Sequence, residues 1–406
     1  MTTRELDVLL WGATGFTGAL VAEYLLGHHP NLRIGLGGRN PEKLEAVKRS
    51  LAGFVDPKVV ERAVVVVGDP ASKDEMAKVA RRAKVVASTA GPFAAYGREL
   101  VRACAEQGTH YADITGEVTF VRFAIDELDA IAKKTGARIV SCCGFDSIPS
   151  DLGVLVAHET LVRAKSALRA AELCVVSMSG KVSGGTAASM MLLMSEAARD
   201  RNVRRLLADP YGLCPSRPRS PVRERNEATY DRDLGKWTAP FVMRAINSRV
   251  VHRTNALLGG AYGEDFRYDE RVAVGAGPLG HARASAMALG FGVGPALLAF
   301  DPLRKMAERR MPKPGEGPSR EERDRGKFTI RVTGVGAHGE RVVVTVKGEK
   351  DPGYGETAKM LGEAAVALSL GTGLPERSGV LTPATGMGMA LVERLRRAGM
   401  TFDVTT

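Results

Sequence analysis

Three glycines at a spacing of three, Gly12, Gly15 and Gly18, stand directly after the apolar run Leu6-Asp7-Val8-Leu9-Leu10-Trp11 and directly before a helical pattern, Ala19 to Leu26. That order lets a backbone turn sharply and lets a pyrophosphate approach the amides that open a helix. Gly12, Ala13, Thr14, Gly15, Phe16 and Thr17 are therefore expected to cradle the phosphates of a dinucleotide. The spacing is Gly-x-x-Gly-x-x-Gly, so the reading rests on its context, a strand before and a helix after. The next apolar run, Leu32 to Leu36, ends at Gly37-Gly38-Arg39. An acidic residue there would hold the ribose 2′-hydroxyl of NAD; Arg39, with Lys43 one helical turn on, suits the 2′-phosphate of NADP(H). Two later strand ends carry further polar groups. The backbone of Ser88, Thr89, Ala90, Gly91 and Pro92 is expected beside the nicotinamide ribose, as are Gly144, Phe145 and Asp146. Tyr96 and Asp146 are the titratable groups on these turns, whereas Asp113 and Glu117, flanking Gly116, read as structural hydrogen bonders. No Tyr-x-x-x-Lys pair occurs, which excludes an ordinary short-chain reductase site.

The elements that must position these groups alternate. Ala63–Val67 reads as a buried parallel strand, Val85–Ser88 as another, then a helix over 97–107, a strand at Tyr111–Asp113, a helix over 119–135 and a strand at Arg138–Ser141. Strands separated by helices predict an α/β, Rossmann-type doubly wound parallel sheet, with ligands at the strands' carboxyl ends. Beyond Asp151 the rhythm changes. Ala171–Met178 reads as a strand, followed by Gly184-Gly185 and a methionine-rich helix to Ala198. Residues 199–225, rich in Arg and Pro, read as an irregular loop. Phe328–Thr333 and Arg341–Val346 alternate as a half-buried hairpin. The expected organisation is an NADP-binding domain over 1–150, an α+β domain for substrate or partner over 151–355, and C-terminal helices over 356–406 that return to the first domain. Residues 284–300 are glycine-interrupted and nearly uncharged. They read as a buried helix-loop-helix, the alternatives being the wall of an apolar channel or a lipid contact.

Composition narrows the partners. The chain has 406 residues, 44% hydrophobic and 25% charged, as in an ordinary globular protein. A formal net charge of +11, spread along the chain, favours anionic partners: phosphorylated cofactors, acidic carrier proteins or anionic lipid. Aromatics are 5% with no basic-aromatic motif, which argues against nucleic acid. Five cysteines without a Cys-x-x-Cys, and scattered histidines, indicate neither a disulfide framework nor a metal site. No secretory segment is recognisable and no apolar run reaches the roughly 18–20 residues that span a bilayer, so a cytoplasmic protein is expected, with peripheral membrane contact as the alternative.

Four blocks together carry a resemblance: Gly12-Ala13-Thr14-Gly15-Phe16-Thr17-Gly18; Ala90-Gly91-Pro92-Phe93-x-x-Tyr96-Gly97; Tyr111-Ala112-Asp113-Ile114-Thr115-Gly116-Glu117; and Cys143-Gly144-Phe145-Asp146-Ser147-Ile148-Pro149-Ser150-Asp151. Ser183-Gly184-Gly185-Thr186, Gly315-Glu316-Gly317-Pro318, Asp351-Pro352-Gly353-Tyr354 and Leu381-Thr382-Pro383-Ala384-Thr385 extend it over essentially the full chain. The sequence resembles the saccharopine dehydrogenase-like oxidoreductases, and within them the trans-acting enoyl reductases. The resemblance implies an NADP-dependent oxidoreductase acting on CH–CH donors. It would reduce a carbon–carbon double bond in a polyketide or fatty acyl intermediate held as a thioester on an acyl carrier protein or polyketide synthase. In that chemistry Tyr96 and Asp146 are the candidate catalytic residues; Phe93 stands where relatives often have Tyr, which shifts weight to Tyr96. Two alternatives remain: a non-catalytic, lipid-associated nucleotide-binding protein, and an imine reductase like the family's namesake.

Overall fold

The computed structural model describes residues 4–179, 191, 195–197, 199–216, 224–298 and 317–406, the side chains of 291–298 excepted. Seven strands form the first sheet in the order β13-β6-β5-β4-β1-β2-β3. They are β1 (Leu6–Trp11), β2 (Ile34–Gly38), β3 (Val64–Val67), β4 (Ala83–Ser88), β5 (His110–Asp113), β6 (Arg138–Val140) and β13 (Gly379–Leu381). Every pairing is parallel. β1 is buried along its whole length, as a central strand covered by helices on both faces must be. The helix Phe16–His28 lays Val21, Ala22 and Leu25 on one face of this sheet, and the helix Thr357–Leu370 packs on the same core. The helices Lys73–Arg82, Arg98–Gln107 and Val118–Thr135 cover the other face.

Seven more strands form a mixed sheet in the order β14-β12-β11-β7-β10-β9-β8. They are β7 (Leu168–Ser179), β8 (Thr229–Asp231), β9 (Lys236–Pro240), β10 (Arg267–Gly275), β11 (Lys327–Gly336), β12 (Arg341–Gly348) and β14 (Thr401–Thr405). In β11 Phe328, Ile330 and Val332 are buried and the residues between them half-buried, the period of two that the alternation predicts. That inner face meets the helix Ile148–Arg163, which starts at the end of β6 and so joins the two sheets through one core.

Three expectations need correction. Val64–Val67 is an edge strand and not a buried one: among the described residues no strand flanks its outer side, and Val67 is 48% exposed. Residues 199–225 are not wholly irregular, because Arg201–Ala208 is a helix. Asp200 accepts the Asn202 N–H at 2.7 Å, and Leu206 and Leu207 pack on a small cluster built around Val118 and Val121. A good cap and an apolar stripe outweigh the arginines there. Gly277–Leu298 is one helix, not a helix-loop-helix. It leaves the sheet after stacking His281 on Trp237 of β9, so of residues 284–290 only Ala284 is buried and Leu289 is 65% exposed. Over 284–290 the helix has too little cover to bury its apolar circumference. Ser147 leads the helix Ile148–Arg163 without capping it by its side chain. Ser183-Gly184-Gly185-Thr186, Gly315-Glu316 and most of the methionine-rich stretch lie outside the described residues. Among the described residues no helix is long and apolar enough to cross a membrane.

Candidate functional site

Five loops gather at the carboxyl edge of the first sheet, after β1, β2, β4, β5 and β6. The first is the glycine turn. Gly12 has φ +88°, and a Cβ there would lie 2.9 Å from both the Ala90 nitrogen and the Thr89 hydroxyl. On Gly18 a Cβ would lie 2.1 Å from the Gly12 carbonyl. Only glycine allows the helix Phe16–His28 to start this close to β1. Ala13 donates its N–H to the Gly37 carbonyl at 3.1 Å, which pins the turn to β2. Thr14 and Gly15 complete it. Gly15 stands at the N-cap with no side-chain cap, so among the described residues no N-cap side chain takes up the first amides of the helix, at Phe16 and Thr17. An uncapped helix start behind a glycine turn is an anion cradle.

The β2 loop carries the cations. Asn40 accepts the Lys43 N–H at 2.8 Å and starts the helix Pro41–Leu51, which leaves the Lys43 ammonium and the Arg39 guanidinium at the sheet edge. Among the described residues neither has a carboxylate partner. The Arg39 Cζ lies 5.7 Å from the centre of the Tyr96 ring. Arg39 and Tyr96 are thus brought together from the loops after β2 and β4, across β1.

The β4 loop is fastened at both ends. Thr89 donates its N–H to the Trp11 carbonyl at 2.9 Å and its hydroxyl to the Gly12 carbonyl at 3.2 Å. Ser88 is buried, and its hydroxyl accepts the Ala90 N–H at 3.4 Å. The Gly91–Pro92 peptide is cis. Beyond it, Glu117 accepts the N–H of Phe93 at 2.8 Å and of Ala94 at 2.7 Å. Glu117 in turn donates its N–H to the Thr115 hydroxyl, and Thr115 its N–H to Asp113, both at 3.0 Å. Asp113 also accepts the Cys142 N–H at 3.1 Å and the Ser141 hydroxyl at 3.0 Å. One buried run of hydrogen bonds therefore ties the loops after β4, β5 and β6 together. Burial pushes the Asp113 carboxyl up to about 7, against the pull of its donors.

Asp146 ends the β6 loop. Its Oδ2 lies 3.6 Å from the point where a Gly116 Cβ would sit, and the Met243 Cε is 3.7 Å from the same point. Burial alone pushes its carboxyl up to about 6, and among the described residues no hydrogen-bond donor meets it. Apolar contacts hold the backbone just before it. Ile114 packs against the Gly144 backbone, and the Phe145 and Phe328 rings meet edge to face at 4.9 Å. The neighbouring carboxylates are all engaged. Ser147 donates to Asn247 at 3.0 Å, Asn247 to Glu270 at 2.9 Å, and Ser150 and Tyr268 to Glu270 at 2.7 and 2.6 Å. Asp151 accepts the Thr254 hydroxyl at 2.5 Å and the Ala384 N–H at 2.8 Å. Burial raises Asp151 and Glu270 to about 7 each.

Several participants come from far along the chain. The Tyr354 ring meets Phe16 edge to face at 4.9 Å, and Arg323 stands over the Phe16 ring. Thr357 accepts the Phe145 N–H at 3.1 Å and donates to the Pro352 carbonyl at 2.8 Å. Of the distant residues, Tyr354 and Pro352 stand in a block that the sequence marks, Asp351-Pro352-Gly353-Tyr354, and Arg323 and Thr357 do not. Met243, Asn247 and Glu270 stand in ordinary helix and strand sequence, which gave no signal.

A glycine turn onto an uncapped helix, with cations at the next strand end, defines a dinucleotide-binding oxidoreductase of the Rossmann type. Comparison with known proteins agrees. Residues 8–140 match the family model of the saccharopine dehydrogenase NADP binding domain. A trans-acting enoyl reductase of Mycobacterium ulcerans is 40% identical over 422 residues, covering 99% of this chain and 98% of the relative. One from Mycobacterium tuberculosis is 39% identical over 417 residues, covering 99% and 98%. Apo saccharopine dehydrogenase (L-Glu forming) from Saccharomyces cerevisiae superposes with a TM-score of 0.51 at 13% identity, over 98% of this chain and 99% of that one, a likeness of fold. The chain belongs to the saccharopine dehydrogenase-like oxidoreductases, in the branch of the trans-acting enoyl reductases, and binds NADP(H).

Proposed function

We propose that this chain is an NADPH-dependent enoyl reductase acting in trans on a polyketide or fatty acyl intermediate, presented as a thioester by an acyl carrier protein or polyketide synthase. The names of relatives at 39–40% identity support the class. The observation that carries the chemistry is Asp146, a carboxyl at the carboxyl edge of the sheet that stands beside Gly116 and Met243 and has no hydrogen-bond partner among the described residues. In this reading Gly12 to Thr17 hold the pyrophosphate, Arg39 and Lys43 the 2′-phosphate, Ser88 to Pro92 the nicotinamide ribose, and Gly144 to Asp146 the reacting end.

Bound NADPH supplies the hydride for the β-carbon of the double bond. The electron pair of that bond then passes toward the thioester oxygen, and the α-carbon takes a proton. Asp146, raised to about 6 by burial, can hold that proton near neutral pH and recover it from solvent. The Met243 side chain beside it suits an acyl chain. The net charge of +11 suits an acidic carrier surface.

The test is loss of NADPH absorbance with a panel of enoyl thioesters on carrier protein and on coenzyme A. Wild type should turn over, with kcat/KM falling about tenfold per unit above about pH 6 as the Asp146 proton is lost. Asp146→Asn should remove that limb and cut kcat by about 100-fold with little change in NADPH affinity. Turnover of Asp146→Asn with the wild-type profile would remove the residue from the mechanism. Absence of turnover on every thioester would remove the proposal.

A further inference from the structure

We propose that Tyr96 is an adenosine-binding residue, which with Arg39 engages the adenosine half of NADP(H), and is not the proton donor its place on the β4 turn first implies. This inference rests on NADP(H) binding and is independent of the acyl substrate.

The strand order decides which half of the cofactor Tyr96 serves. Tyr96 follows β4, yet its ring meets Arg39, which follows β2, with β1 between them. Asp146 follows β6, two strands away on the opposite side of β4. At about 4.8 Å per strand, the ends of β2 and β6 stand roughly 19 Å apart. In a doubly wound sheet the adenosine lies on the β2 side of the glycine turn and the nicotinamide on the side of β4 to β6. The Tyr96 side chain therefore points away from the reacting carbons.

The chemistry of the pair fits that end. The Tyr96 ring is 49% exposed, and among the described residues its hydroxyl has no partner. Arg39 is exposed and among the described residues faces no carboxylate, which leaves its charge to an anion. A guanidinium against an aromatic face gives a flat surface on which a purine can stack, while the remaining N–H groups are aimed at a phosphate. The backbone holds the ring in place, because Glu117 accepts the Phe93 and Ala94 amides at the start of the turn that ends at Tyr96.

Calorimetry of the full chain with 2′,5′-ADP and with 5′-AMP separates the roles, since neither carries a nicotinamide. Wild type should bind 2′,5′-ADP more tightly than 5′-AMP. Tyr96→Ala should weaken both by about tenfold through lost stacking. Tyr96→Phe, which keeps the ring, should stay within about twofold of wild type. Arg39→Ala should abolish the preference for 2′,5′-ADP. Unchanged binding of both nucleotides by Tyr96→Ala would overturn the proposal, provided its thermal midpoint matches wild type. Equal loss in Tyr96→Phe would overturn the stacking role in favour of the hydroxyl. A Tyr96→Phe enzyme that binds normally but loses kcat would restore the proton donor.

Discussion

Glu117 offers the sharpest test of how the site is held. Its side chain is buried, at 2% residue exposure, and its two oxygens accept the Phe93 and Ala94 amides. Replacing it with Ala removes two charge-assisted hydrogen bonds and strands two donors. Each bond contributes about 1.5–3 kcal/mol when the acceptor is charged. Phe93 is buried but Ala94 is half-buried, so water can re-satisfy the second amide, which favours a total near 3 kcal/mol. For a chain of this length that is a fall of about 3–4 °C in thermal midpoint. The loosened turn carries Ser88 to Tyr96, so part of the same energy must be supplied again when cofactor binds. At about 1.4 kcal/mol per factor of ten, half of it weakens NADPH by about tenfold. Glu117→Gln keeps one acceptor oxygen and should show roughly half of both effects. Differential scanning fluorimetry and NADPH calorimetry on the two variants give the numbers. An Ala variant with the wild-type midpoint and wild-type affinity would refute the assignment of Glu117 as the brace of this turn.

Two further outcomes follow from the geometry. Gly12→Ala forces a positive φ on a side chain that meets Ala90 and Thr89; NADPH binding should fall by at least about 100-fold, as calorimetry would show, and normal binding would dismiss the close approach. Stability should fall as pH rises from 5 to 8. Asp113, Asp151 and Glu270 at about 7, and Asp146 at about 6, are raised by burial. Their contribution is complete below the ordinary carboxyl range near 4 and is lost as pH climbs through the folded values. Asp7 runs the other way, held low by Arg33, but its contribution is lost only in acid. A drop of about 10 °C in thermal midpoint across that window is expected, and a rise would contradict the burial argument.

The first sheet was legible because each of its turns advertises itself locally. The glycine turn, the Gly38-Arg39 end of β2 and the Cys143-to-Asp151 block are short-range signals, set by backbone sterics and helix starts. What stayed hidden is long-range. β13 and β14 are three and five residues long and gain their structure from β6 and β12 rather than from their own pattern. Tyr354 on Phe16, Thr357 under Phe145 and Glu270 behind Asn247 depend on how the second sheet docks, which no local periodicity encodes. The exposure of Val67 and of Leu289 has the same origin. Apolar composition says that a residue would rather be covered, but only the neighbouring element decides whether a cover exists.

β13 completes one sheet and β14 the other, with fewer than thirty residues between the start of the first and the end of the second. During synthesis, then, both sheets lack a border strand until this late stretch leaves the ribosome, and the unpaired edges of β6 and β12 stay open to other chains. Folding is in that sense locked from the back. A ribosome stalled before residue 379 would release a polypeptide bearing the complete glycine turn and two adhesive margins, a natural client for chaperones.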